Sequence, residues 1–261
     1  MSSSIVRTDK WTLNPSPAAK SHLDLTVREY RAYCKALSYV VMGHWAQISE
    51  ASSQCAAVEK LMHQTRKNPH PKHSYFGKRF YKFPSYLRRA AITFVCGQVS
   101  SFLTRYRTWQ SGDRKRRDAK PPRFNPEAGC YPALYRGQCI KFHNEFDVAE
   151  IKVWNASDWV WVKVPVAGLR QRHLLEHSQG LSPYLIVKGG KAHLSVPFKL
   201  HPQKLASDLV CAVDVGINTT ATATIVSSGG TVIARRFLHR GTDINRRDKV
   251  LGQIRAKAKL T

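Results

Sequence analysis

The sequence predicts an α+β protein in which a block of helices is followed by a small antiparallel sheet or barrel. Apolar residues recur at helical spacing over roughly the first 110 residues, whereas they alternate with a period of two from residue 138 onward. The 261 residues, 43% of them hydrophobic, are enough to bury a real core. We therefore expect one large domain or two smaller ones, and not a disordered tail.

The charge of the chain is strongly unbalanced. Lys and Arg number 42 against 17 Asp and Glu, which gives a formal net charge of +25. Such an excess favours a polyanionic partner. Nucleic acid is favoured over a membrane surface, because basic residues run along the whole chain and no apolar stretch approaches the roughly 20 residues of a spanning helix. The first residues lack the apolar core of a secretory signal, which predicts a cytoplasmic protein, nucleoid-associated when bound to DNA.

The first predicted element is a strand over residues 5–13, ended by the proline-containing turn at residues 14–17. The period then changes to that of a helix. Thr26 and Glu29 have the spacing of a capping box, which predicts a helix that begins there and continues to about Ile48.

A second helix is predicted over residues 51–66, followed by the basic loop KNPHPKHSYFGKRFYKF at residues 67–83. Its mixture of Lys, His and Tyr suits phosphate and base contacts, although a solvated loop has the same composition. His70 and His73 form the only metal-like histidine pair, and they have no acid or Cys nearby. The six cysteines include no C-x-x-C pair. We therefore expect no zinc site and no disulfide framework.

A third helix is predicted from Ser85 to about Gln110, with an apolar stripe that belongs to the core. The arginines off this stripe make its exposed side cationic. The stretch that follows reads as a flexible basic linker. From these two segments the candidate nucleic-acid contacts are Arg88, Arg89, Arg105, Arg114, Lys115, Arg116 and Arg117.

From residue 138 the chain predicts short strands and a hairpin that turns at Gly189-Gly190. In the strand that begins at Trp159, the side chains of Trp159, Trp161 and Lys163 share one face. They could form a stacking platform for bases, or the tryptophans could pack against the preceding helices, which is the more favoured of the two interpretations.

Residues 209–215 are almost unbroken apolar sequence, as in a strand buried on both faces, with one acid, Asp214, among small neighbours. A lone buried carboxylate is costly unless it is protonated, paired or bound to a cation. The alternative is that Asp214 caps the turn at Asn218 and Thr219. Two further strands and a basic helix follow, in the stretch that ends near residue 260.

The segment AVDVGINTTATATIVSSGGTVIARRF resembles the first RuvC motif of the TnpB transposon-encoded nucleases and the related type V CRISPR effectors. The order of the parts is similar as well. The resemblance implies a wedge β-barrel with an inserted helical lobe, followed by the first strands of an RNase H-like (RuvC) domain. Its divisions are residues 1–17 for the first barrel strand, 18–110 for the recognition lobe, 111–136 for the basic linker, 137–207 for the rest of the barrel and 208–261 for an incomplete RuvC domain.

The same resemblance implies partners and chemistry. The partners are guide RNA and target DNA, and Mg²⁺ or Mn²⁺ is held by Asp214 with two later carboxylates. No Glu occurs after Glu176, and the last helix is basic, with Arg246 and Arg247 as further candidate nucleic-acid contacts. We therefore expect an amino-terminal portion of an RNA-guided DNA endonuclease that is inactive as this chain alone.

Two alternatives remain open from the sequence. The chain could be a catalytically inactive nucleic-acid-binding protein or the remnant of a truncated transposase. The pattern D-x-G-x-x-T from Asp214 to Thr219 also resembles the first phosphate motif of actin-like ATPases and sugar kinases. In those proteins this strand usually comes first, and a second phosphate motif follows, so a short motif without that context is weak support.

Overall fold

The structure, a computed structural model, describes residues 4–112, 120–167, 178–201, 207–216, 221–239 and 241–257. It confirms the α+β class: a curled antiparallel half-barrel sheet and several helices. The chain divides into two compact units, Met1–Pro202 and Gln203–Thr261. Among the helices of the described residues, none is both long enough and apolar enough to cross a bilayer.

The first unit is built on one seven-stranded antiparallel sheet. Six strands follow the order β2-β3-β4-β1-β7-β5, and β6 pairs with β7 beside β5. The strands are β1 (Ile5–Leu13), β2 (Ile140–His143), β3 (Val148–Trp154), β4 (Trp159–Ala167), β5 (Ser178–Gly180), β6 (Tyr184–Lys188) and β7 (Lys191–Leu200).

Strands β6 and β7 form the predicted hairpin. Lys188 pairs with Lys191, and the two turn residues Gly189 and Gly190 have φ of 58° and 71°. Both angles lie in the left-handed region, where glycine carries no steric penalty. The Gly-Gly turn predicted from the sequence is therefore confirmed, with the turn geometry that matches the twist of the flanking strands.

Between β1 and β2 the chain forms the helical block. Its helices are α1 (Pro17–Gly43), α2 (Trp45–Glu50), α3 (Gln54–Met62), α4 (Tyr75–Arg79) and α5 (Ser85–Gln110). Helix α1 begins nine residues earlier than the sequence predicts. Its N-cap is Ser16, whose hydroxyl accepts a hydrogen bond from the Ala19 amide at 3.3 Å, and Pro17 occupies the first turn. The predicted capping box at Thr26 is wrong, and the second predicted helix is the shorter α3.

Thr26 instead joins the helical block to the sheet. It is fully buried in α1, and its hydroxyl donates to the His22 carbonyl at 2.7 Å. The same oxygen accepts a hydrogen bond from the Trp154 amide, at the end of β3, at 2.7 Å. A backbone N–H that is withdrawn from solvent, as this part-buried one is, needs such a partner because its desolvation is otherwise uncompensated.

One hydrophobic core fills the space between the sheet and the helices. On the sheet side, Trp11 of β1 is fully buried, and its ring lies 5.5 to 5.9 Å from the rings of Phe142, Phe146 and Phe198. Cys130 and Leu134 are also fully buried. The C-terminal end of the predicted basic linker is therefore part of this core.

Two histidines meet where α1 ends. The Nε2 atom of His44 lies 3.0 Å from the Nε2 atom of His73, in the loop before α4. At this distance one ring must donate and the other accept, so the contact requires an unprotonated nitrogen. Burial, together with the charges of His44 and Lys72, lowers the pKa of His73.

The second unit contains β8 (Leu209–Asp214), β9 (Ala221–Ser227), β10 (Val232–Leu238) and α6 (Gly241–Lys257). The three strands form an antiparallel sheet in the order β10-β9-β8, and the predicted strands and helix are present. The prediction that the first strand is buried on both faces is wrong, because every residue of β8 is exposed. A strand of mostly apolar residues can also belong to a sheet whose faces are exposed to solvent.

We expect Thr26→Val to lower the free energy of unfolding by about 1–3 kcal/mol, because it leaves the part-buried Trp154 amide without its Thr26 partner. Thr104→Val is the matched control: its exposed hydroxyl makes the same bond to the carbonyl four residues earlier, so its effect should stay within about 0.5 kcal/mol. Denaturant titration followed by tryptophan fluorescence measures both, since all six tryptophans lie in the first unit. Equal losses in the two variants would contradict this role of Thr26.

We expect the first unit to lose stability as the pH falls below about 6.5. The pKa of His73 is lower in the folded state than in the unfolded state, so unfolding takes up a proton in this range and becomes easier. In His73→Gln the decrease in melting temperature between about pH 7.5 and about pH 5 should be smaller than in the unsubstituted protein. The exposed His70 of the same loop supplies the control, His70→Gln, and an identical decrease in both variants would refute the prediction.

Candidate nucleic-acid interface

The face of the sheet opposite the core carries a row of lysines. Strand β3 alternates between buried and partly exposed residues, so Glu150 and Lys152 point away from the core. Glu150 pairs with Lys141 of β2 and with Lys163 of β4, and Lys152 pairs with Trp161. Directly paired residues share a face of the sheet, so these side chains lie together.

Trp161 is flanked by two ammonium groups. The Nζ atom of Lys141 lies 4.6 Å from the centroid of the indole, and that of Lys152 lies 5.7 Å away. Both distances are within the range of a cation–π contact. The sequence prediction named Trp161 and Lys163 but missed Lys141 and Lys152, since only the register of three strands brings them to this ring.

Lys10 of β1 points to the same side of the sheet but lies farther along the strand direction, since its neighbour Thr12 pairs with Ala167 at the end of β4. Lys10 is also adjacent to the pair that Thr12 forms with His193 of β7. Burial, reinforced by the charge of Lys10, lowers the pKa of His193. We call the surface formed by Lys10, Lys141, Lys152, Trp161 and Lys163 the basic face.

The acid on this surface already has a partner. The Oε2 atom of Glu150 lies 3.1 Å from His143 Nε2. The structure gives none of the four lysines of the basic face an ion pair with a described acidic side chain. They are therefore accessible to an external anion, although the Glu150 carboxylate, which lies between Lys141 and Lys163 in the register of the sheet, offsets part of their charge.

Trp159, the third member of the predicted platform, has a different environment. Its ring packs edge-to-face against Phe83 at 5.5 Å and lies 5.6 Å from Trp154. It is half-buried and belongs to the contact between sheet and helices, as the favoured interpretation predicted. Of the predicted platform, Trp161 and Lys163 are available at the surface.

The segment before α5 is fixed to the rest of the unit by two ion pairs. Arg79 donates to both carboxylate oxygens of Glu29, at 2.7 and 3.0 Å. Lys82 Nζ lies 2.9 Å from Asp158 Oδ2 in the β3–β4 turn, and this hydrogen bond lowers the pKa of Asp158. The aromatic side chains of the basic loop are thereby held against the end of β3 and β4.

The arginines predicted on α5 differ in their availability. Arg88 is half-buried, and its Nε donates to Glu59 at 3.2 Å, so it supports the contact of α5 with α3 and is not a free cation. Arg89 is exposed beside the Tyr86 ring. Arg105 is exposed and donates to the Ser101 carbonyl. Arg114, Lys115, Arg116 and Arg117 lie outside the described residues.

Asp214, the predicted metal ligand, ends β8 opposite Thr222 of β9 and is exposed. The expectation that it is buried is wrong for this chain. Divalent ions of a two-metal site need several oxygen ligands, and within the described part of the chain no group of three His, Cys, Asp or Glu side chains comes together. These residues do not make the implied Mg²⁺ or Mn²⁺ site. The predicted cap at Asn218 and Thr219 lies outside the described residues.

Arg246 and Arg247 lie on α6 of the second unit. Both are exposed. Arg247 Nε is 4.0 Å from Asp248 Oδ1, a loose contact between neighbouring exposed side chains that contributes little to stability. Both arginines therefore remain available to solvent.

Comparison with solved structures gives a similarity to a Cas12f1–sgRNA–target DNA complex determined by cryo-electron microscopy. The sequence identity is 8% and the TM-score is 0.39. The match covers 98% of this chain and 62% of the other, so this chain spans less than two thirds of that protein. No curated protein matches the sequence.

The family comparison concerns the first unit. The matched residues, 7–155, run from within β1 through the helical block to the end of β3. They include Lys10, Lys141 and Lys152 of the basic face, and they exclude Asp214. Because the family model matches more than half of the sequence, the chain belongs to the Aq_aa04 family.

Proposed function

We propose that this chain binds nucleic acid through the basic face. The observation that carries the proposal is the position of two lysine ammonium groups beside the half-buried ring of Trp161, with Lys163 exposed on the same face. Like charges held together repel one another, and an approaching phosphate relieves that repulsion while the indole offers a surface for a base. The net charge of +25 supports the same partner.

We further propose that the chain is the amino-terminal part of an RNA-guided DNA endonuclease, with guide RNA and target DNA as partners. The support is the resemblance of the sequence around Asp214 to the first RuvC motif. Three antiparallel strands, with Asp214 at the end of the first and a helix after the third, are consistent with it. In such systems base pairing reads the target, and the protein holds the backbone of the heteroduplex.

The catalytic role of Asp214 belongs to a longer parent protein in this proposal. There it would be one of several carboxylates that hold Mg²⁺ or Mn²⁺ for phosphodiester hydrolysis. A binding protein without catalysis is the second candidate, and the exposed position of Asp214 opposite a threonine favours it for this chain.

We expect the affinity for a single-stranded RNA to fall steeply with salt, since phosphate contacts release bound counterions. Lys163→Gln should weaken binding and reduce the slope of log K against log salt by about 0.7, the value for one phosphate contact on a single strand. Trp161→Ala should weaken binding about 5- to 150-fold, the equivalent of about 1–3 kcal/mol of stacking. Fluorescence anisotropy of a labelled RNA at several salt concentrations measures both effects.

The control for Lys163 is Lys35→Gln. Lys35 is also a surface lysine, but its Nζ lies 3.5 Å from a carboxylate oxygen of Glu127. The substitution therefore removes the same formal charge as Lys163→Gln, but from a lysine whose charge is already balanced by an acid. An affinity insensitive to salt, or equal losses in Lys35→Gln and Lys163→Gln, would refute the basic face as the binding surface.

We expect the purified chain to leave supercoiled and single-stranded DNA intact in the presence of Mg²⁺ or Mn²⁺, because one exposed carboxylate supplies too few ligands for the metal. Gel electrophoresis of the DNA after incubation is the measurement. Asp208→Ala, at an exposed acid just before β8, controls for the loss of a charge. Metal-dependent cleavage that Asp214→Ala abolishes and Asp208→Ala retains would contradict the expectation.

A further inference from the structure

The aromatic residues of the basic loop enclose a hollow that the basic face does not explain. It has a volume of about 220 Å³ and lies between α1, the end of α3 and the segment that joins α4 to α5. This volume is below the ~300–1,000 Å³ of sites for drug-sized ligands. A single planar ring system fits it better than a larger metabolite.

The inner wall of the hollow is aromatic and rigid. Tyr33 stacks on Phe83, with ring centroids 4.2 Å apart and an interplanar angle of 11°, and it meets Phe80 edge-on at 4.9 Å. Its hydroxyl lies 3.7 Å from the sulfur of Met62, and burial raises its pKa far above the usual range. The wall is therefore uncharged and presents ring faces and edges.

The hollow also has polar lining residues. His63 and Gln64 line it, and the guanidinium of Arg88 is held there by Glu59. Burial and the charge of Arg88 lower the pKa of His63. A neutral imidazole has one donor and one acceptor, and the Gln64 amide has both as well. These are the groups that pair with the edge of a nucleobase.

Tyr81 stands at the rim. The residue is 83% exposed, and it lines both this hollow and a second one of about 210 Å³. Lys78, which has no ion pair with any described acid, lines the second hollow together with Trp154 and Trp159. An exposed ring beside a free cation is suited to a base and its phosphate.

We propose that the first hollow receives one unstacked base of a single-stranded nucleic acid, with Tyr81 stacking on it and Lys78 contacting the backbone. The inference rests on the proposed nucleic-acid binding and adds a base-reading site to it. The unpaired ammonium of Lys78 favours this occupant over a neutral aromatic metabolite, which would gain nothing from it.

The test compares two labelled single-stranded DNA 12-mers: oligothymidylate, and a strand of the same length in which every base is replaced by an abasic site. We expect the unsubstituted protein to bind the complete strand at least about fivefold more tightly, since stacking contributes about 1–3 kcal/mol per base. Tyr81→Ala should lose about tenfold in affinity for the complete strand and leave affinity for the abasic strand unchanged. Tyr81→Phe, which keeps the ring, should retain both affinities.

A second measurement, of the preference among bases, tests the polar residues that line the hollow. Gln64→Ala, at an exposed residue, should reduce the differences in affinity among the four homopolymer 12-mers. The control is Tyr39→Ala, which removes an exposed ring of α1 that does not line the hollow, and it should change neither measurement. Melting temperatures of the variants verify that they fold.

The outcomes separate this inference from the proposed function. Failure of both strands to bind would overturn the proposed function and this inference with it. If both strands bind in a salt-dependent way but Tyr81→Ala behaves like Tyr39→Ala, the base site is refuted and binding by the basic face stands. A loss in Tyr81→Phe equal to that in Tyr81→Ala would also refute stacking.

Discussion

Strand β1 joins the two halves of the sheet, and the architecture of the first unit depends on it. It pairs with β7 along all nine of its residues, and at Thr12 and Leu13 it also pairs with β4. These partners are more than 150 residues away in the sequence. The conformational entropy of closing such long loops must be offset, and the buried cluster around Trp11 supplies the apolar burial that does so.

The position of β1 also determines where the charges lie. Because Trp11 and Leu13 face the core, Lys10 and Thr12 must face the other way. The same alternation in β2, β3 and β4 buries Ile140, Ile151 and Val164. It therefore directs the lysines of all these strands to the one opposite face, so that the core and the basic face are two consequences of the same pleat.

Local signals in the sequence were sufficient for elements fixed by local chemistry. The Gly189-Gly190 hairpin and the alternating strand β3 are examples, because the turn geometry and the alternation of apolar and polar residues each depend on only a few neighbouring residues. The start of α1 was missed because Thr26 has the spacing of a cap, whereas its hydroxyl is used 128 residues away at Trp154. The prediction that Asp214 is buried is wrong for a related reason. An apolar sequence shows that a strand can be buried, but it does not show whether other parts of the protein cover that strand.

The candidate site was only partly predictable, because a cation's availability depends on its neighbours in space. Arg79, Arg88 and Lys82 look as accessible in the sequence as Lys141 or Lys163, but each has an acidic partner in the folded chain. The exposed pair of Lys82 with Asp158 contributes little to stability. All three pairs, however, neutralise a charge that a phosphate could otherwise meet. The acids of the first unit thus divide its cations into a paired set, which includes Arg79, Arg88 and Lys82, and a set without a described ion pair, which includes the lysines of the basic face as well as Lys78 and Arg89. Net charge attracts a polyanion to the whole protein, and this division determines where the polyanion can bind.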